Sequence, residues 1–280
     1  MEQPDPDEFD AVIVGSLRTD VRATARSIMK KALERLCFLD GEDDPFIRTA
    51  VSSAQFYFKR ELLRDRHLRD MHLLGWVKNA LLLRQPLDVR RSTANVLGRR
   101  PVGLLSLNLT VNEHDHPAAE EKKYDISFIA GSTNPDRLFF ARMLREFARR
   151  SGYRVFVHVS GAFYGAVSWR DYVRITSGSK ICVSLPGLGF DTIRYWEAPY
   201  YGAVLASPRL PIEIEDNFED MDSAIFFSSF EEFRVKATKV LESGLWEEIL
   251  KRGKELFAQC HTSRRRAEKV LSVIRRAGVA

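Results

Sequence analysis

The stretch that decides the fold reads Ser179-Lys-Ile-Cys-Val-Ser-Leu-Pro-Gly-Leu-Gly-Phe-Asp-Thr-Ile-Arg-Tyr-Trp-Glu-Ala-Pro-Tyr-Tyr-Gly-Ala-Val-Leu-Ala-Ser-Pro-Arg209. Lys180 to Leu185 is a short apolar run bounded by turn residues, which marks a buried strand. Pro186-Gly187-Leu188-Gly189 breaks it as a glycine-rich turn. A helix follows from about Thr192, and Ala203 to Ala206 returns as a strand with Pro208 beyond it. Strand, turn, helix, strand is the unit from which parallel sheets are wound with helices on both faces.

The same grammar continues on either side. Asp125 to Ala130 reads as a strand and Gly131-Ser132-Thr133 as a turn, with Asn134 an N-cap and Pro135 the first helical residue. Phe140, Met143, Leu144 and Phe147 form that helix's buried stripe, and Gly152 ends it before a strand at Arg154 to Val159. Trp169 to Thr176 is a short helix. Downstream, Ala224 to Phe227 is a strand, and Ser229 with Glu232 makes a capping box for a helix that buries Phe233, Ala237, Val240 and Leu241. Two helices follow, around Trp246 to Cys260 and Ser263 to Arg276. Upstream, Ala11 to Val14, Leu36 to Leu39, Gln55 to Phe58 and Leu104 to Thr110 read as strands, with a helix from Val21 to Leu36. That is fewer strands than a full nucleotide-binding fold has. Residues 112–123 are polar and contain a proline, so the chain is expected to divide into 1–111, a linker at 112–123, and 124–280.

Composition sets the outer bounds. The 280 residues are 45% hydrophobic and 11% aromatic, enough for about two cores and too apolar for a disordered chain. No apolar run approaches the roughly 20 residues of a membrane-spanning helix. The opening Met1-Glu-Gln-Pro-Asp-Pro-Asp-Glu8 is unlike a secretory leader, so a cytoplasmic location is expected. Cys37, Cys182 and Cys260 are too far apart for a Cys-x-x-Cys motif and read as small buried hydrophobes. The net charge is +5, and Arg90-Arg91, Arg99-Arg100 and Arg264-Arg265-Arg266 suit an anionic partner. Because 38 acidic residues are interspersed with 43 basic ones, a phosphate-bearing small ligand fits that charge better than nucleic acid does.

Helix N-termini present unpaired N–H groups and partial positive charge. The turns Gly131-Ser132-Thr133-Asn134 and Pro186 to Asp191 both follow strands, and each reads either as a phosphate cradle or as an ordinary connection. Arg194 and Glu197 lie three apart and share a helix face. An arginine there can clamp a diphosphate, and a carboxylate one turn on can accept both hydroxyls of a ribose; the pair can equally bond to each other. His158 is a candidate contact or a core histidine, and Tyr195 a surface for a nucleobase or a packing residue. His114-Asp115-His116 with Glu113 has metal-ligand residue types but no third ligand at a useful spacing, so it reads as a loop. Asp40 to Asp44 and Asp220-Met-Asp222 read as turns.

The quoted stretch resembles the donor site of the glycosyl-transferase group 1 superfamily, particularly its CgeB-like branch: a strand, a glycine turn, a helix opening Arg194-x-x-Glu197-Ala198, then Gly202 and a short apolar strand. Asn217-Phe-Glu-Asp-Met221, the capped helix from Phe230, His261-Thr262 with Arg265, and Phe56-Tyr-Phe-Lys-Arg-Glu61 look similar to that branch as well. The resemblance implies an α/β protein of GT-B architecture, with two Rossmann-like domains of parallel sheet, the N-terminal one reduced. It implies a hexosyltransferase-like enzyme that needs no metal or cofactor and takes a nucleoside-diphosphate sugar as co-substrate. The acceptor, a glycan, a protein or a small molecule, is unspecified. By the same resemblance Arg194 neutralises the diphosphate, Glu197 binds the ribose, and Gly187 and Gly189 let the backbone approach. Gly131, Ser132 and Arg137 then lie across the same site. Two positions depart from the pattern: Gly189 stands where many relatives carry a glutamate, and Pro199 where the helix should continue. A non-catalytic nucleotide-sugar-binding or scaffold protein is the alternative.

Overall fold

The computed structural model describes residues 12–15, 36–40, 56–59, 121–132, 134–161, 167–187 and 189–276. The chain divides into two compact units, residues 1–107 with 211–215 and 266–280, and residues 108–210 with 216–265. Of the expected linker, only 121–123 are described.

In the first unit β1 (Val12–Gly15), β2 (Leu36–Asp40) and β3 (Phe56–Lys59) run parallel in that order. All three fall on apolar runs expected to be strands. Cys37 is fully buried and its thiol is pushed up to about 12 by that burial, so it behaves as a small hydrophobe. The expected strand at Leu104 to Thr110, the helix from Val21 and the His114 to His116 run lie outside the described residues.

The second unit is a five-stranded sheet of β4 (Tyr124–Gly131), β5 (Val155–Ser160), β6 (Ser179–Val183), β7 (Val204–Pro208) and β8 (Ile225–Phe227). Its spatial order is β5-β4-β6-β7-β8 and every pairing is parallel. The helices are α1 (Pro135–Ser151), α2 (Trp169–Ser177), α3 (Ile193–Tyr201), α4 (Phe230–Glu242) and α5 (Trp246–Leu256), then a π-helical turn at Phe257–His261; α6 (Ser263–Arg276) falls from Arg266 onward among the residues of the first unit. The helix starts follow their local chemistry. Asn134 Oδ1 accepts the Asp136 N–H at 2.9 Å, and Ser229 Oγ accepts the Glu232 N–H at 3.1 Å. Glu232 reaches back to the N–H of Ser228, one residue earlier than a standard capping box.

Both faces of the sheet are covered, as parallel sheets require. Ile126, Phe128 and Ala130 point from β4 into a core with Phe140, Leu144 and Phe147 of α1 and Phe233, Ala237 and Val240 of α4. On the other face Ile129 packs with Tyr172 and Ile175 of α2 and Tyr201 of α3. Each fully buried side chain of this kind contributes roughly 1.5–3 kcal/mol. Pro199 sits in the last turn of α3, which closes on Gly202 in the left-handed conformation.

The strand order fixes where a ligand can enter. From β4 the chain crosses to β5 on one side and then to β6 on the other. The carboxyl ends of β4 and β6 therefore diverge into the crevice at which sheets of this type take ligands. No helix among the described residues is long and apolar enough to cross a membrane.

Candidate functional site

The two glycine turns singled out in the sequence flank that crevice, one leaving β4 and the other leaving β6. Arg137, in the first turn of α1, joins them: Nη1 donates to Gly131 O at 3.1 Å and Nη2 to Leu185 O at 2.9 Å. The side chain is 4% exposed, and burial together with the nearby Arg194 charge pulls its guanidinium down to about 10. Gly187 leaves room for it, since a Cβ there would stand 2.7 Å from Arg137 Nη2. Gly187 N–H donates to Gly189 O at 2.9 Å, and Ser132 N–H to Ser160 O at 2.8 Å, which ties the ends of β4 and β5 together.

Helix α3 opens at Thr192 without a side-chain cap, so its first N–H groups have no side-chain acceptor of that kind. The Thr192 hydroxyl pairs with Ser184 Oγ at 2.8 Å instead. The helix is buried nearly all round, at Tyr195, Trp196, Glu197, Ala198, Pro199 and Tyr201. Glu197 is therefore a carboxyl group in the interior, 2% exposed. Its Oε2 accepts the Tyr172 hydroxyl at 2.6 Å, while Oε1 is buried without a hydrogen-bond partner. Burial drives the carboxyl up to about 7, against the smaller opposite pulls of the Tyr172 hydrogen bond and the Arg194 charge. Arg194 is half-buried, and its Nε also lacks a partner. Arg194 and Glu197 make no hydrogen bond to each other; the contact that holds the glutamate comes from α2.

The structure thus gathers Gly131, Ser132, Arg137, Gly187, Gly189, Arg194 and Glu197 around the carboxyl ends of β4 and β6. His158 lies on β5 beside Ile129 of β4, and its Nε2 is buried without a partner. Tyr195 takes the second of the roles considered for it. It is 1% exposed, its ring packs on Trp196, Phe218 and Phe226, and its hydroxyl donates to Asn217 Oδ1 at 2.6 Å, so it is a core residue and offers no face to a base. Tyr172 is the member that sequence reasoning missed. It stands 25 residues before Glu197, and only the pairing of α2 with α3 brings it near.

Among the described residues, the acidic candidates at Asp220 and Asp222 are occupied. Asp220 accepts Arg209 Nη2 at 2.6 Å, Lys236 Nζ at 2.7 Å and the Phe226 N–H, and Asp222 pairs with Arg252. Among the described residues no group of three His, Cys, Asp or Glu side chains is placed to hold a metal ion.

Comparison with known proteins gives the fold. Residues 137–272, a little under half of the chain, match a family described as glycosyl transferase-like. The crystal structure of TarM superposes with a TM-score of 0.54 at 10% identity, covering 94% of this chain and 55% of that one. The GtfA/B complex gives 0.49 at 13% identity, covering 96% and 57%. The C-terminal domain of LpcC, a glycosyl transferase group 1 family protein from Francisella tularensis, gives 0.39 at 14% identity, covering 53% of this chain and 96% of that domain. No curated protein sequence matches. The fold is that of GT-B glycosyltransferases, and the C-terminal half carries a glycosyl transferase-like sequence. The chain spans a little over half the length of the TarM and GtfA/B chains it matches.

Proposed function

We propose that the chain is a glycosyltransferase of the CgeB-like branch that takes its sugar from a nucleoside-diphosphate donor held at the carboxyl ends of β4 and β6. The observation that carries this reading is Glu197. A buried carboxyl group with one oxygen unpartnered costs folding free energy, and such groups mark places where a ligand supplies what the protein lacks. Donor hydroxyls of a ribose are suited to that oxygen. The diphosphate then faces Arg194, the uncapped start of α3 and the field of Arg137. The two guanidinium groups disfavour each other, and an anion between them relieves that repulsion. Fixed charge of this kind stabilises a departing diphosphate without a metal ion.

Thermal unfolding against uridine, guanosine, adenosine and thymidine diphosphates tests the site. A ligand at a hundred times its Kd stabilises the fold by about 2.7 kcal/mol. The expected outcome is a shift with one base that disappears in Glu197→Ala and Arg194→Ala. A shift that survives both substitutions would refute the assignment. Binding without transfer is the second reading, and Gly189 favours it. That position, eight residues before Glu197, offers no side chain to the sugar. Transfer to any acceptor that is abolished by Glu197→Ala eliminates it.

A further inference from the structure

Glu197 is held by a contact that no local motif supplies. Tyr172 stands on α2, and its hydroxyl reaches Glu197 Oε2 at 2.6 Å in a buried setting. The phenol ring is packed on two sides. Trp169 stacks on it at 5.5 Å between ring centroids and Tyr201 meets it edge-on at 6.5 Å. The ring is thus clamped by its own helix and by α3, the helix that carries Glu197. Both helices cover the same face of the sheet, beside Ile129 of β4. The two oxygens of Glu197 consequently differ, one engaged by Tyr172 and the other without a partner.

We propose that Tyr172 is a positioning residue of the donor site, fixing the Glu197 carboxylate so that Oε1 is the oxygen presented to the hydroxyls of the donor. This rests on the reading of Glu197 as the ribose-binding group. The chemistry follows from which oxygen each proton can occupy. Tyr172 remains a neutral phenol, because burial, and then the Glu197 charge, push its hydroxyl well above the ordinary range. It therefore donates to Oε2 in either state of the glutamate. When Glu197 is neutral its proton sits on Oε1, which then donates and is only a weak acceptor; when Glu197 is ionised Oε1 accepts at full, charge-assisted strength. Donor hydroxyls favour the ionised form, so binding near neutral pH releases part of a proton. The charged and titratable groups facing Glu197 are Tyr172 from α2, Arg194 from its own helix and Cys182 from β6. Burial holds the Cys182 thiol near 11, so it stays neutral throughout the range concerned. Removing the phenol hydroxyl takes away a hydrogen bond that favours the ionised carboxylate, and the pH at which Oε1 opens moves upward.

The test measures binding of UDP-glucose, GDP-mannose and ADP-glucose, whose diphosphate diesters do not titrate between pH 5.5 and 8.5. Titration calorimetry follows wild type, Tyr172→Phe and Glu197→Gln across that range. Wild-type affinity is expected to rise through pH about 7 with proton release. In Tyr172→Phe affinity at neutral pH falls about tenfold, the loss of one hydrogen bond to a charged group, and the rise occurs at higher pH. In Glu197→Gln the profile is flat. A Tyr172→Phe profile that overlays wild type while Glu197→Gln is flat overturns the role of Tyr172 and leaves the donor site standing. Glu197→Gln binding like wild type, or no binding of any probe, removes the donor reading and this inference with it.

Discussion

The two ends of the second sheet handle buried charge in opposite ways. At the amino end Lys122 donates to three carbonyls, Ser177 O at 2.7 Å, Ser179 O at 2.9 Å and Gly202 O at 2.5 Å. Beside it Asp125 accepts the Arg154 N–H at 2.9 Å and pairs with Lys180 at 2.8 Å. Those contacts hold the Asp125 carboxyl below its ordinary value in spite of its burial. At the carboxyl end Glu197, Arg194 and His158 each keep a buried polar atom without a partner. At one end the charged groups Lys122 and Asp125 find their partners internally, as in a structural joint. The other is left incomplete at the point where the strand order opens a crevice. Thr176 Oγ1 and Ser127 Oγ are also buried without a partner, but the unpartnered charged and imidazole groups Glu197, Arg194 and His158 gather at the carboxyl end, and a cluster of that kind is a stronger functional signal than any single perturbed residue.

The largest effect that follows belongs to the satisfied end. Lys122→Met removes the donor for three carbonyls that join the starts of β4 and β6 to the end of α3. Leaving them unpaired is expected to cost about 4 kcal/mol in urea unfolding, with donor binding by the folded protein unchanged. A loss below 1 kcal/mol would show that the amino end is not the structural joint described.

The opposite sign is expected at the carboxyl end. The Glu197 carboxyl rises from its ordinary 4.5 to about 7 on folding. Between those values the folded state binds more protons than the unfolded chain, so its stability falls as pH rises through that window. The accumulated loss is about 3 kcal/mol by pH 8.5. Glu197→Gln has no such titration. Its stability relative to wild type, measured by urea unfolding, should therefore improve by about that amount between pH 5 and pH 8.5. A constant difference across the two pH values would mean that the carboxylate already has a partner in the folded state. A substitution that stabilises the protein while weakening donor binding and removing its pH dependence is the signature of a residue kept for function.

Much of this contrast was legible in the sequence, but unevenly. The strands and helices of the second unit announce themselves because each boundary carries its own chemistry, as at Asn134-Pro135 and at Ser229 with Glu232. Arg194, Glu197 and both glycine turns could be singled out because they follow strands in chain order. What escaped depends on contacts between distant elements. Tyr172 meets Glu197 only because α2 and α3 cover one face of the sheet. Lys122 fell in a stretch that reads as polar linker, although its amine is tied to three carbonyls more than 50 residues away. Tyr195 is adjacent to the site in sequence but belongs to the core, since neighbouring helix positions point about 100° apart.

The smallest effects come from adding one methyl group at each of two glycines. At Gly253 a Cβ would lie 2.7 Å from the backbone oxygen of Ser223, with Pro199 Cβ at 3.7 Å on another side. Backbone cannot swing aside, so Gly253→Ala should lift α5 off its seat and cost about 2 kcal/mol. Donor affinity should change little, because nothing at the carboxyl ends of β4 and β6 is displaced. At Gly187 the methyl would also lie 2.7 Å from its neighbour, but that neighbour is the tip of Arg137. The guanidinium can yield by leaving Leu185 O, so Gly187→Ala should cost about 1 kcal/mol or less in urea unfolding. Its effect should appear instead as about tenfold weaker donor binding, since the cation that braces both turns has moved. The same atom added at two equally tight places thus separates stability from binding. If Gly187→Ala binds donor as wild type does, Arg137 serves only as a brace between β4 and β6, and the anion site narrows to Arg194 and the start of α3.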